Sequence, residues 1–355
     1  MTLLMHVVGA RPNFPKLSPV YRAGVEAGVE QIIVHTGQHY DEEMSASFFN
    51  SLGIPAPTFN LEIGSGSHAI QTARVMERLE PILLENRPDW LLVYGDVNST
   101  MAASLVASKL GVRVAHVEAG LRSDDRTMPE EINRIVTDRL ADLLLTPSRD
   151  ADERLREEGE PDTEIVFVGN VMIDTLFRKV AELGIAPRKD GTWPTDGSVL
   201  VTLHRPSNVD DDVRLRRIMR AIGFVAESRR VIFPAHPRTQ ARIRSLDIDT
   251  GNIEMRGPLP YDELVPLVTR AFCVITDSGG LQEETSALGI PCLTLRQSTE
   301  RPITVTHGTN QLIMEPEDLS SSLARIRRET VPPMIDGWDG GAGHRVVKAL
   351  LSKAR

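Results

Sequence analysis

The sequence has little cysteine, no long apolar run and no excess of positive charge, and each absence removes a class of function. Cysteine occurs only at Cys273 and Cys292. Each lies inside an apolar stretch, which fits a buried free thiol better than a disulfide framework or a thiolate metal site. Histidines and carboxylates do not recur at zinc-like spacing, so no metal is expected. No apolar segment is long enough to span a bilayer, and the N-terminus lacks the pattern of a secretion signal. The expectation is a cytoplasmic protein without a membrane partner. A net charge of −9 argues against a nucleic-acid partner, because phosphate backbones need a basic face. A small anionic substrate stays open, since a local group of arginines binds an anion whatever the total charge.

What is present is the composition of a globular chain, with 41% hydrophobic and 25% charged residues. A length of 355 residues exceeds a usual single core and predicts two domains. Short apolar runs read as strands at Leu3–Val8, Gln31–Thr36, Trp90–Tyr94, Val112–Val117, Asp142–Leu145 and Glu164–Val168. A second set reads at Val199–Leu203, Val231–Ala235, Ile253–Arg256, Phe272–Thr276 and Cys292–Leu295. Helical stretches separate them, one running from about Ala69 to Glu85 with Ile70, Ala73, Val75, Met76, Leu79 and Leu83 at near-helical spacing. Alternation of this kind predicts two parallel-sheet α/β domains. Residues 185–197 hold Pro187, Gly191, Pro194 and Gly197 and are the best linker candidate, with the domain change there or slightly before. We assign 1–170 to an N-terminal and 171–342 to a C-terminal Rossmann-like domain, with a last helix at about 343–355 packing back on the first.

One stretch, residues 275–301, carries the densest chemistry. A buried strand ends at Thr276-Asp277-Ser278-Gly279-Gly280 and a helix follows to Leu288. The glycines admit close backbone approach, and the helix start offers unpaired N–H groups, an arrangement suited to phosphate. Glu283 and Glu284 sit in the first turns, and Arg296, Glu300 and Arg301 come just after the next strand. Elsewhere Arg11, Asp96, Glu118, His204-Arg205 and His236 also fall at strand ends. Ligands of open α/β sheets bind there, so two such domains facing each other predict one shared cleft. Asp96, Glu118, Glu130 and His204 are candidates for acid–base work, because groups held at different pKa values divide the roles of acid and base. Asp96 equally suits a helix N-cap and Glu130 a dipole partner. Arg11, Lys16, Arg205 and Arg301 are candidate counter-charges for a diphosphate. His236, in Ala-His-Pro, suits either a ligand contact or a strand-end hydrogen bond.

Seven ordered motifs then carry a resemblance. They are Gly9-Ala10-Arg11-Pro12 with Lys16, Gly95-Asp96-Val97-Asn98-Ser99-Thr100, His116-Val117-Glu118-Ala119-Gly120-Leu121-Arg122, Pro129-Glu130-Glu131-Ile132-Asn133-Arg134, Val201-Thr202-Leu203-His204-Arg205, Thr276 to Glu284, and Thr299-Glu300-Arg301-Pro302. Together they resemble the non-hydrolysing UDP-N-acetylglucosamine 2-epimerases. The resemblance implies a GT-B fold and a homodimer acting on a UDP-sugar without a cofactor. It implies anti elimination of UDP to 2-acetamidoglucal, followed by re-addition in the other configuration. Asp96, Glu118, Glu130 and His204 carry over as the acid–base and orienting set. Arg11, Lys16, Arg205, His236, Ser278, Gly279, Gly280, Glu284 and Arg301 carry over or are added as substrate contacts, with Ser278 and the glycines at the diphosphate and Glu284 at the ribose. Gln38, His39 and Arg74 match a region where many bacterial members bind a second, activating substrate molecule, although Tyr40-Asp41-Glu42-Glu43 departs from the usual pattern. Members often have an aromatic near Leu264, placed to lie against the uracil, and this chain does not. Alternatives are a hydrolysing epimerase, a GT-B glycosyltransferase and a silent nucleotide-sugar binder.

Overall fold

The structure, a computed structural model, describes residues 2–37, 49, 52–187, 191–327 and 334–353, without the side chain of Arg11. The chain forms two compact units, one of residues Met1–Thr175 with Asp336–Arg355 and the other of Leu176–Ile335. The first passage between them falls inside the helix Val171–Glu182, shortly before the Pro- and Gly-rich stretch.

The first unit is built on β1 (Leu3–Val8), β2 (Glu30–His35), β3 (Phe59–Asn60), β4 (Trp90–Tyr94), β5 (Val114–Val117), β6 (Leu143–Thr146) and β7 (Ile165–Phe167). They form a parallel sheet in the order β3-β2-β1-β4-β5-β6-β7. Successive side chains of a strand point to opposite faces, and both faces here are covered. Leu4, Val8, Trp90, Leu92 and Tyr94 join one core cluster, against the helices Phe14–Glu26 and Ala342–Ser352. Met5, Val7, Leu91 and Val93 join another, against the helices His68–Asn86 and Asn98–Lys109. Along His68–Asn86 only Val75, Leu79 and Leu83 are fully buried, whereas Ile70 is 47% exposed, so the predicted apolar stripe is narrower than its spacing suggested.

The second unit contains β8 (Val199–Thr202), β9 (Val231–Pro234), β10 (Ile253–Arg256), β11 (Cys273–Thr276), β12 (Cys292–Thr294) and β13 (Asn310–Leu312). Its parallel sheet runs β10-β9-β8-β11-β12-β13 and has its own core around Val199, Val201, Phe233, Ile275 and Leu293. In both sheets the strand order reverses beside the first strand of the unit, between β1 and β4 and between β8 and β11. Such switch points open a crevice at the carboxyl ends of the strands. Among the described residues no helix is long and apolar enough to cross a membrane, and no group of three His, Cys, Asp or Glu residues is placed to hold a metal ion.

Candidate active site

In the first unit the candidate residues come from the turns after β1, β4 and β5 and from the start of the helix Pro129–Leu140. After β1 the chain makes a tight turn at Arg11–Asn13, where the Asn13 Oδ1 accepts the N–H groups of Gly9 (3.2 Å) and Ala10 (3.1 Å). The same side chain donates to the Tyr94 carbonyl (2.8 Å), which ties this turn to the end of β4. Gly9 is required because Ser99 and Thr36 crowd the space a Cβ would fill.

Beyond β4, Gly95 takes φ +64 and Asp96 comes next. The N-cap of the next helix is Val97, so Asp96 is not a cap. Its carboxylate meets the Arg134 guanidinium, and its carbonyl accepts from Asn133 (2.8 Å). Beyond β5, Glu118 adopts φ +79, a left-handed conformation uncommon for residues other than glycine. Its N–H is held by the Leu145 carbonyl (3.0 Å), and its buried carboxylate lies 2.5 Å from the buried Lys16 ammonium. Lys16 Nζ also lies 2.6 Å from where a Cβ on Gly95 would stand, so one cation is close to both acid-bearing turns.

Glu130 is exposed on the first turn of its helix, and the neighbouring Glu131 takes the buried position. Glu131 accepts the N–H groups of Ser123 (2.9 Å) and Asp124 (2.9 Å) and pairs with Arg134 (2.9 Å), fixing the loop after β5. Arg11 lies at the β1 turn, with its side chain outside the described residues. Gln38 and His39 lie outside the described residues too. Arg74 is exposed and donates to the Ile63 carbonyl (3.2 Å).

In the second unit His204 and Arg205 follow the end of β8 at Thr202, and Asp277 and Ser278 follow the end of β11 at Thr276. The helix Gly279–Leu288 begins two residues earlier than the apolar pattern suggested, so Gly279 and Gly280 are its first residues and Ser278 its N-cap. The Ser278 hydroxyl makes no capping bond, which leaves the first N–H groups of the helix for a ligand. Asp277 is fully buried and accepts from the backbone of His204 (3.1 Å) and Arg205 (3.0 Å), from Asn208 (3.1 Å) and from His204 Nδ1 (2.9 Å). Burial alone would push its carboxyl up, but His204 and these donors hold it below the usual value. With Nδ1 bound to Asp277, Nε2 is the nitrogen that the largely exposed His204 imidazole offers a ligand.

Around Gly279 three arginines converge on one buried glutamate. Glu300 lies 2.6 Å from Arg296, 2.6 Å from Arg301 and 3.4 Å from Arg205. Arg301 also reaches Glu283 (2.8 Å), and a Cβ on Gly279 would lie only 2.8 Å from the Arg301 guanidinium. Burial, with the neighbouring Arg296 charge, lowers the Arg205 pKa, and the nearby Glu300 and Asp277 charges oppose that fall without cancelling it. Glu284 is buried further along the helix, with the Tyr261 hydroxyl donating to it (2.7 Å). Tyr261 is three residues before Leu264 on the helix Tyr261–Arg270, so an aromatic is present one turn from the expected position. His236 is exposed after β9 and caps the helix Pro237–Ser245, accepting from the Arg238 N–H (3.3 Å).

Sequence reasoning noted the Asp277 turn but did not assign Asp277, Arg296, Glu300, Tyr261, Asp138 or His116 a site role. Asp277, Glu300 and His116 had a signal, since all three stand inside the ordered motifs. Arg296, Tyr261 and Asp138 meet their partners through tertiary pairing, which spacing does not reveal.

The model of the family described as UDP-N-acetylglucosamine 2-epimerase matches residues 23–351. The chain belongs to that family. It is 43% identical to a UDP-N-acetylglucosamine 2-epimerase homolog of Methanococcus maripaludis, with 98% of this chain and 99% of the relative covered. It is also 43% identical to the UDP-2,3-diacetamido-2,3-dideoxy-D-glucuronate 2-epimerase of Pseudomonas aeruginosa, with 99% of each covered. The crystal structure of Methanocaldococcus jannaschii UDP-GlcNAc 2-epimerase, in complex with UDP-GlcNAc and UDP, superposes with a TM-score of 0.86 at 37% identity, covering 99% of this chain and all of that one. The two Rossmann-like parallel-sheet units are those of the GT-B class.

Proposed function

We propose that this epimerase-family chain interconverts UDP-N-acetylglucosamine and UDP-N-acetylmannosamine without hydrolysis. A group on the enzyme takes the proton from carbon 2 while the bond from carbon 1 to the UDP oxygen breaks. The electron pair becomes the double bond of 2-acetamidoglucal. UDP then re-adds at carbon 1 and a proton is returned to the opposite face of carbon 2. A carbon 2 proton is a poor acid, so its removal needs a base and a stabilised leaving group together. Asp96 and Glu118, each beside a cation on neighbouring strand ends, are the proposed acid–base pair, with Glu130 at the edge of that set. The helix start at Ser278-Gly279-Gly280, with Arg205, Arg301 and His204, is proposed to take the diphosphate, and Glu284 the ribose. Arg11, Lys16 and His236 complete the proposed contacts.

The observation that carries the non-hydrolysing reading is Glu118 itself, kept in His116-Val117-Glu118-Ala119-Gly120 where the hydrolysing branch has a His- and Gly-rich version. A homodimer is proposed on the family resemblance. The 43% identity to the diacetamido-glucuronate enzyme favours a second reading of substrate, a UDP-sugar altered at carbons 3 and 6.

Turnover in heavy water tests both readings. The expected result is an epimer mixture carrying deuterium at carbon 2 with little free UDP. Stoichiometric UDP with free sugar would mean hydrolysis, and dependence on an acceptor would mean transfer. Presenting both UDP-sugars in one vessel ranks the substrates by kcat/KM. Asp96→Asn and Glu118→Gln should each lower turnover by roughly 10²- to 10⁴-fold, the usual share of acid–base help. Unchanged rates would remove those side chains from the mechanism.

A further inference from the structure

We propose that His116 and Asp138 are positioning residues that set the placement of Asp96 relative to Glu118. The inference rests on the epimerase reading, in which a proton leaves one face of carbon 2 and returns on the other, so two groups must be held at a set separation.

β4 and β5 are paired up to Tyr94 and Val117, and beyond that register both chains leave the sheet. The Gly95 N–H still reaches the Val117 carbonyl (3.1 Å), and the ladder between the two strands ends with that bond, one residue short of the acids. Ordering the acid-bearing side falls to His116. From within β5 its Nε2 donates to the Gly95 carbonyl (2.8 Å), the peptide that leads directly into Asp96. Its Nδ1 lies 2.6 Å from Asp138 Oδ1 on the helix Pro129–Leu140. The other oxygen of Asp138 accepts the Gly120 N–H (3.2 Å), in the turn that carries Glu118, and pairs with Arg122 (2.7 Å). The two acid-bearing turns are thus closed into one ring of hydrogen bonds running through the imidazole and the carboxylate. Both side chains are buried, where such bonds are strong and a missing partner is costly.

Each ring nitrogen faces an acceptor. The Gly95 carbonyl only accepts, so Nε2 donates to it, while Gly120 and Arg122 donate to the Asp138 oxygen that does not face the imidazole. The same helix carries Asn133 to the Asp96 carbonyl and Arg134 to its carboxylate, so one rigid element reaches both turns.

The test compares full-length His116→Leu, His116→Gln and Asp138→Asn with the wild type, counting folded sites by UDP titration. The expected outcome is unchanged UDP affinity, kcat lower by about 10- to 100-fold with KM little altered, and more free UDP and glucal per turnover. His116→Gln should recover part of the loss, because its amide keeps a donor for the Gly95 carbonyl. A purely structural role would lower the folded fraction and leave kcat per folded site at the wild-type value, which would overturn the proposal. If His116→Leu does not fold, the isosteric Asp138→Asn decides by the same split. Failure of the wild type to epimerise either UDP-sugar would take down the reading and this proposal together. Wild-type turnover with unaffected variants would take down this proposal alone.

Discussion

At the scale of single residues, Glu284 links structure to pH most directly. Burial raises its carboxyl to about 7; the Tyr261 hydrogen bond opposes that rise and the Glu283 charge adds to it. The folded chain therefore keeps a proton that the unfolded chain releases in the ordinary carboxylate range. The stability this contributes is complete below about pH 4.5 and is lost as pH rises through about 7, a change on the order of 3 kcal/mol. Glu284→Gln has no such proton to lose. Its urea midpoint should change less than that of the wild type between about pH 5 and about pH 8, and equal changes would show that Glu284 is ionised when folded. Most candidate site positions could be named from sequence because an apolar run followed by a glycine turn is a local signal. The choice between Glu130 and Glu131 was not local. Both satisfy the helix dipole, and only the loop N–H groups of Ser123 and Asp124 decide which of them is buried.

Among the elements, the helix Ala342–Ser352 shows how one segment is held by another distant in sequence. Its first N–H groups have no cap of their own and are taken by Asp174, which accepts from Ala342 (3.1 Å) and Gly343 (2.8 Å). Gly343 is forced by contact, since a Cβ there would lie 2.5 Å from the Pro19 carbonyl oxygen. Asp174→Ala should cost about 1–2 kcal/mol, the usual worth of a helix cap, measured as a lower denaturant midpoint with an unchanged slope. No loss would mean that water replaces the carboxylate. The strands missed from sequence are β3, two residues long, and β13, which carries Asn310 and Gln311. Neither has enough apolar alternation to be seen, and both exist because a neighbouring strand offers its edge. The long strands were legible for the opposite reason, being buried on both faces and so continuously apolar.

For the whole molecule, the division into two parallel-sheet units follows from strand and helix alternation, and the last helix, expected to pack back on the first unit, makes that unit discontinuous. Val346, Val347 and Leu350 are buried in its core, and the Trp338 indole donates to the Pro147 carbonyl (3.0 Å). Burying three such aliphatic side chains contributes roughly 5–9 kcal/mol, as large as the net stability of many domains. A chain ended after Ile335 should therefore lose the first unit's structure and keep the second's. Limited proteolysis should leave a fragment covering about 176–335, and survival of the first unit would show that its sheet closes without the last helix.

That discontinuity also orders the birth of the protein. The ribosome completes the whole of 176–335 before it makes the residues that finish the first unit. The half synthesised second is thus the first able to reach its native state, and the half synthesised first must wait, with an unfilled groove along Phe14–Glu26, for the tail to arrive.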